Sequence, residues 1–388
     1  MMFLLVDMFL WYYLTLNTIA VIAEELGVEH MGLLFAQHVG VLVGGFLGIA
    51  FLKDGLRGLL LWTFLGTSVS FLPLLTPDIV YLRFQEYFFV LGLSLGLGMP
   101  LCLGFFAKRT ATENRGYIGG IVLAVSIFCA TPMVSLVRLY GSQTLLLFLG
   151  VWRALGFVPL LIWSKVPWEK PTVENTEEPT LLSRKLYLYW VPWAIFNIID
   201  GLEWLLLRNF VRAMFSAYLT SLQWVGFLFL GTFAFLGGYL SDLVGRKPVI
   251  ILGFSMIGVA YAVISMVPNS LAAWFLFYIC SGVSWGLFTT IFIVVIWGDL
   301  ASTSAKEKYY LVGITPFFMA AVIQKFFAAH LMFLSETSAF SLAAVFLFVA
   351  VLPILFAPET LPEKVLKERE LRNYIERAKR VKEKFTRG

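Results

Sequence analysis

Apolar runs of helix length alternate along this chain with short polar breaks. Twelve runs stand out, at 3–23, 31–52, 56–75, 79–107, 116–137, 144–163, 186–207, 218–240, 248–267, 271–297, 310–332 and 338–356. A helix of about 20 apolar residues crosses the hydrocarbon core of a bilayer. Lipid offers no partner to backbone N–H and C=O groups, so each run must satisfy them internally, as a helix does. The pattern predicts an all-α integral membrane protein with twelve transmembrane helices. Turn-forming residues mark most breaks, among them Thr76-Pro77-Asp78, Arg115-Gly116, Gly141-Ser142 and Pro268-Asn269-Ser270, while Pro248 opens a helix.

The charges in the short breaks predict orientation, because Lys and Arg accumulate on the cytoplasmic side. If both termini are cytoplasmic, that side holds Lys53, Arg57, Lys108, Arg109, Arg115, Lys165, Lys170, Arg184, Lys185, Arg246, Lys247, Lys306 and Lys308. The outer side then holds only Arg138, Arg208 and Arg212. The expectation is a multi-pass plasma-membrane protein with both ends inside.

Composition removes the competing classes. Of 388 residues, 60% are hydrophobic and 14% charged, against about 45–50% and 25% in soluble domains. Nearly half of the charges crowd into 165–185 and 359–388, which leaves too few elsewhere to coat a water-facing surface. Soluble, disordered and nucleic-acid-binding proteins are excluded, since most of the net charge of +5 lies in the tail. The charged windows divide the chain into an N-terminal six-helix bundle (1–164), a cytoplasmic linker (165–185), a C-terminal six-helix bundle (186–357) and a cytoplasmic tail (358–388). In the tail, Leu371, Tyr374, Ile375, Ala378, Val381 and Phe385 form a helical stripe among charges, the mark of an amphipathic helix on the membrane face. Cys102, Cys129 and Cys280 lie singly in apolar runs and suggest neither disulfide nor metal site. No basic leader with a cleavage site precedes the first run, so no signal peptide is expected.

The two bundles repeat one another. Val6-Asp7-x-x-x-Trp11 returns as Ile199-Asp200-x-x-x-Trp204, and Gly44-Gly45-Phe46-Leu47 as Gly237-Gly238-Tyr239-Leu240. Leu65-Gly66 matches Ile257-Gly258, Pro77 matches Pro268, and Arg115 matches Lys308. Gly92-Leu93-Ser94-Leu95-Gly96-Leu97 returns as Gly282-Val283-Ser284-Trp285-Gly286-Leu287. The nearly constant offset is half the chain, so the bundles are parallel repeats, an arrangement that puts ligand sites between the halves near the midplane.

The segment Gly238-Tyr239-Leu240-Ser241-Asp242-Leu243-Val244-Gly245-Arg246-Lys247 resembles the inner-loop motif of the major facilitator superfamily, in the place of that family's second copy. Glu113-Asn114-Arg115-Gly116 and Pro358-Glu359-Thr360 resemble further loops of that family. The resemblance implies a fold of two pseudo-symmetric six-helix bundles. It also implies a conformational lock at Gly238, Asp242, Gly245, Arg246 and Lys247, and a central site built from helices 1, 4, 7 and 10 with 2, 5, 8 and 11 at its sides. The first copy of the motif is degenerate, with Ile49 in place of the acid and Leu52 in place of the second glycine.

Gly92–Gly96 and Gly282–Gly286 each match the G-x-S-x-G pattern of esterases. That pattern needs a strand-to-helix elbow with His and acid nearby. Small residues four apart within membrane helices serve close packing instead, and no catalytic role is read. Ionisable groups inside the membrane are the candidates for function: Asp7, Glu86, Asp200 and Glu203 among acids, Arg83, Arg153 and Lys325 among bases, with His38 and His330. Asp7 and Asp200 are repeat-related and are expected to face one another across the cavity. Glu203 follows Asp200 by one turn. Arg83 resembles a helix-four arginine that the family uses in proton coupling, with Glu86 as its neighbour. Arg153 is expected to form an internal ion pair. The resulting reading is a monomeric secondary transporter moving a small solute, driven by protons, with substrate or proton roles for Asp7, Asp200, Glu203, Arg83, Glu86, Lys325 and His38. No cofactor is implied. The alternatives are an uncoupled facilitator, a transporter-derived sensor and a membrane enzyme.

Overall fold

The computed structural model describes residues 1–52, 55–76, 83–138, 140–163, 183–301, 306–331 and 335–363, with 365, 367, 371 and 375 of the tail. The side chains of residues 131, 136–138, 163 and 328–331 lie outside the description. Lys53, His330, most of the linker and most of the tail stripe fall outside it too.

Among the described residues, eleven apolar helical stretches are long enough to cross a membrane; the longest of them, Arg184–Val244, comprises two helices, which makes twelve, and no strand occurs. The N-terminal half holds α1 (Met2–Leu26), α2 (His30–Phe51), α3 (Leu56–Leu75), α4 (Phe84–Arg109), α5 (Arg115–Arg138) and α6 (Ser142–Leu155, continued by Phe157–Trp163). The C-terminal half holds α7 (Arg184–Phe215), α8 (Leu219–Val244), α9 (Arg246–Met266), α10, α11 (Lys306–Leu331) and α12 (Glu336–Val349, continued by Val351–Phe356). Helix α10 runs from Leu271 to Leu300 and has a π-helical turn, Thr289–Val295, in its course. Helix ends follow local chemistry. Gly27 takes the left-handed conformation (φ 65°) after α1, and Ser183, Ser270 and Ser335 cap α7, α10 and α12 with their hydroxyls. Many large apolar side chains, among them Phe46, Phe64, Leu161, Phe346 and Phe356, face outward, as lipid contact requires.

The repeat is visible in the packing. Helix α2 lies along α4 as α8 lies along α10, α3 meets α6 as α9 meets α12, and α1 meets α5 as α7 meets α11. The glycines explain the closest of these contacts. A Cβ on Gly44 or Gly48 would come within 2.2 or 2.0 Å of a carbonyl oxygen of α4, and one on Gly92 or Gly96 within 2.0 or 2.1 Å of one of α2. In the second half, Gly282 and Gly286 stand against α8 at 2.4 and 2.6 Å. The G-x-S-x-G segments are thus packing seams. Between the halves, the repeat-related pairs α5–α8 and α2–α11 make the most extensive contacts, joined by α4–α11 and α5–α10.

Candidate functional site

A cavity of about 1010 Å³ lies between the halves. Its wall is built by α1 (Tyr13, Asn17), α5 (Val134, Ser135), α7 (Asp200, Trp204, Arg208, Arg212), α8 (Gln223, Trp224, Phe227) and α10 (Tyr278, Ser281, Trp285). Glu24, Val28 and His30 also line it, so it reaches the face that carries the α1–α2 and α7–α8 connections. Among the described residues, α4 and α11 contribute nothing to this wall, which departs from the expected lining. The reason is steric. Helix α4 is held behind α2 by the glycine seam, and the α2–α11 side is filled by Tyr12, His38, Phe317 and Phe318 in mutual ring contact.

Asp200 sits at mid-length in α7 and looks into the cavity. Trp285 donates its indole N–H to Asp200 Oδ1 at 3.0 Å. Glu203, one turn on, is buried, and its Oε2 has no hydrogen-bond donor. The repeat-related Asp7 has another setting. It is fully buried inside the first half and forms an ion pair with Arg153 of α6, and Arg153 is stacked on the rings of Trp11 and Trp62 at 4.6 and 4.0 Å. Asp7 therefore does not face Asp200 across the cavity. Arg153 stands where it does because Gly66 and Gly156, small residues beside it and beside Asp7, leave it room. Its place as an internal ion-pair partner agrees with expectation.

The other candidates are spread around the site. His38 is buried; its Nδ1–H donates to the Leu34 carbonyl at 2.8 Å and its Nε2 meets the Tyr12 hydroxyl at 3.2 Å. Arg83 and Glu86 are exposed at the start of α4 and do not line the cavity. Lys325 pairs with Glu29 of the α1–α2 connection, joining the halves on the cavity's open face. Two residues that the sequence reading placed in an outer loop, Arg208 and Arg212, instead belong to the last turns of α7 and line the cavity mouth. The clue was available: Asp200, Trp204, Arg208 and Arg212 recur every four residues, a helical spacing that continues beyond the apolar run.

The opposite face is shut by a network that crosses the halves. Asp242 accepts N–H bonds from Gly116 (3.1 Å) and Tyr117 (2.6 Å), capping α5 of the other half, and pairs with Arg246 at 2.7 Å. Arg246 also donates to the Thr112 carbonyl at 2.6 Å and to Asp299 at 3.2 Å. Asp299 in turn pairs with Arg115, so one carboxylate at the end of α10 joins an arginine from each half. Asp299 was missed in the sequence, since its partners lie far away along the chain. Gly238 lets α8 approach α5, because a Cβ there would stand 2.1 Å from the Gly116 carbonyl oxygen. Gly245 has φ 101°, which a side chain resists, and a Cβ there would strike Glu359. Glu359 caps α9 through the N–H groups of Arg246 and Lys247. Lys247 reaches the carbonyls of Leu355 and Ala357, so it ties α9 to α12 within one half. At the pseudo-equivalent α2–α11 corner, Ile49 offers no carboxylate. Beside it, Lys108–Glu307 (2.7 Å) and Lys306 on the Ala107 carbonyl (2.9 Å) connect the halves between α4 and α11.

Solved structures with the same architecture settle the fold. The proton:xylose symporter XylE, bound to 6-bromo-6-deoxy-D-glucose, superposes with a TM-score of 0.68 at 15% identity, over 92% of this chain and 95% of that one. The major facilitator transporter FucP, in the outward conformation, gives 0.67 at 13%, over 91% and 97%. The chain has the major facilitator fold. The human organic anion transporter MFSD10 is similar as well, with a TM-score of 0.67 at 12% identity over 91% of this chain and 97% of that chain. No protein-family model and no curated protein matches by sequence. In the major facilitator fold of this chain, the cavity and the Asp242–Arg246–Asp299–Arg115 network occupy opposite faces of one interface.

Proposed function

We propose that this protein is a secondary transporter that carries a small organic solute across the plasma membrane by alternating access, with proton coupling. The observation that carries the reading is the opposition of faces. A cavity between two repeat-related halves opens on one side, while a cross-half ionic network shuts the other. Basic residues at that shut face favour a cytoplasmic position for it, which makes this arrangement outward-open. The similarity to a proton:xylose symporter and to a transporter in its outward conformation supports the same reading.

Within it, Asp200 is the substrate-facing carboxylate and Glu203 the proton carrier. Glu203 is buried one turn away, with an oxygen that lacks a donor, so a proton is the available counter-charge. Asp7 with Arg153 holds the first bundle together, and Lys325 with Glu29 is a contact of the outer rim. Asp242, Arg246 and Asp299 are the lock, with Arg115 as their partner from the other half. The test is flux in proteoliposomes under an imposed pH gradient. Wild type accumulates substrate against its gradient, whereas Glu203→Gln equilibrates it downhill only. Accumulation by Glu203→Gln with unchanged pH dependence overturns the coupling assignment, and binding without any flux overturns transport.

A further inference from the structure

The repeat puts one pair of residues into two settings. In the first half, Asp7 and Trp11, one turn apart on α1, grip a cation. Asp7 pairs with the guanidinium of Arg153, which lies 4.6 Å from the Trp11 ring and 4.0 Å from that of Trp62. Helix α6 delivers that guanidinium through the room that Gly66 and Gly156 leave. In the second half the equivalent residues, Asp200 and Trp204 on α7, both line the cavity. The offset of 193 that relates the two acids carries Arg153 to Phe346 on α12, an exposed apolar residue. The second half thus keeps the acid and the indole and lacks the guanidinium.

Among the described residues, Asp200 has no ion pair, and its one hydrogen bond comes from the neutral indole N–H of Trp285. Arg208 and Arg212 stand about 12 Å and about 18 Å further out along the α7 axis, beyond a Debye length of about 10 Å at 0.1 M salt. The Arg208 guanidinium lies instead 5.0 Å from the Trp204 ring. The wall around Asp200 is aromatic, with Trp285 from α10, Phe227 from α8 and Tyr13 from α1, whose ring meets that of Phe227 at 6.2 Å across the halves. Ring faces carry negative potential and attract cations. A half-buried carboxylate with one neutral donor, set among such rings, is short of positive charge.

We infer that the solute bound in this cavity is an organic cation whose head, a protonated amine or a guanidinium, takes at Asp200 the place that Arg153 takes at Asp7. Its N–H groups donate to the Asp200 carboxylate, as Arg153 donates to Asp7, and its body lies among Trp285, Phe227 and Tyr13. These rings come from both halves, so one bound cation touches both walls of the interface. The inference names the solute class of the transporter reading and rests on that reading for transport but not for binding.

The test measures equilibrium binding to the purified full-length protein by calorimetry. The probes share one ring and differ in charge: benzylamine, benzylguanidine, benzyl alcohol and benzoate, with xylose beside them. Both cations should bind about tenfold or more tighter than benzyl alcohol, since the charge adds a charge-assisted hydrogen bond, and benzoate should bind weakest of the four. Asp200→Asn should bring both cations down to the level of benzyl alcohol while its thermal unfolding stays near wild type, which separates loss of the contact from loss of the fold. The order on the wild-type protein decides the sign of the charge without any variant. Cations no tighter than benzyl alcohol overturn the inference. Benzoate ahead overturns it in favour of an organic anion, xylose ahead in favour of a polyol, and no binding of any probe overturns it as well. Undiminished cation binding by Asp200→Asn overturns the assignment to that residue. If the cations bind in the expected order but never cross a proteoliposome membrane, the site assignment stands and the transporter reading falls.

Discussion

At the scale of single residues, Asp7 and Asp200 show how one repeated position acquires two chemistries. Asp7 lies in the second turn of α1 and Asp200 at mid-length in α7, and the repeat made their equivalence legible in the sequence. The difference between them was not legible, because it depends on Arg153, 146 positions from Asp7, and on the absence of a basic residue at the matching place on α12. Ion-pair partners that are distant along the chain leave no local pattern. Breaking a buried pair by removing one member leaves an uncompensated charge and costs about 3–5 kcal/mol. Asp7→Asn should therefore lower the thermal stability of the purified protein sharply, and Arg153→Gln should do the same. Asp200→Asn, at a site without a cationic partner, should leave stability near wild type while weakening solute binding. A stable Asp7→Asn protein would show that the pair is dispensable to the bundle. Glu29 and Lys325 are partly exposed, and Glu29→Gln should change stability by less than about 1 kcal/mol.

At the scale of elements, the lock was legible where its chemistry is local and hidden where it is not. Gly238, Asp242, Gly245 and Arg246 lie within one short segment, and their spacing marked a helix end with a capping acid and a turn glycine. The helix that Asp242 caps is α5 of the other half, and the acid that gathers both arginines is Asp299, at the far end of α10. Helix α10 thus links Trp285 beside Asp200 to Asp299 in the lock, with its π-helical turn in between. The length of α7 was misjudged for a related reason. Hydropathy falls at Arg208, but the helix continues because Arg208 and Arg212 border the cavity rather than lipid. Gly238→Ala tests the element-level account. The added methyl cannot fit 2.1 Å from a carbonyl oxygen, so α8 and α5 must separate. The variant should expose the lock face, which is read as faster labelling of a cysteine introduced at Glu113. Labelling at the wild-type rate would mean that the α5–α8 seam does not govern access from that side.

At the scale of the whole molecule, the repeat, the helix count and the positive charge of one set of loops were all legible, because each is a property of composition summed over many residues. Reporter fusions after Ala107 and Leu240 should report cytoplasm and fusions near Glu25 the outside; the reverse would turn the molecule over and exchange its inner and outer faces. The central claim is that the two faces open in alternation about the cavity. The most direct measurement is double electron–electron resonance on the full-length protein in lipid, with one spin-label pair on Glu113 and Val244 at the lock face and another on Leu26 and Met214 at the cavity mouth. Asp242→Asn removes the charge that caps α5 and pairs Arg246, so it biases the equilibrium toward opening at the lock. The account predicts that this variant lengthens the Glu113–Val244 distance and shortens the Leu26–Met214 distance together. An increase at the lock with no change at the mouth, or movement of both distances in the same direction, would contradict it.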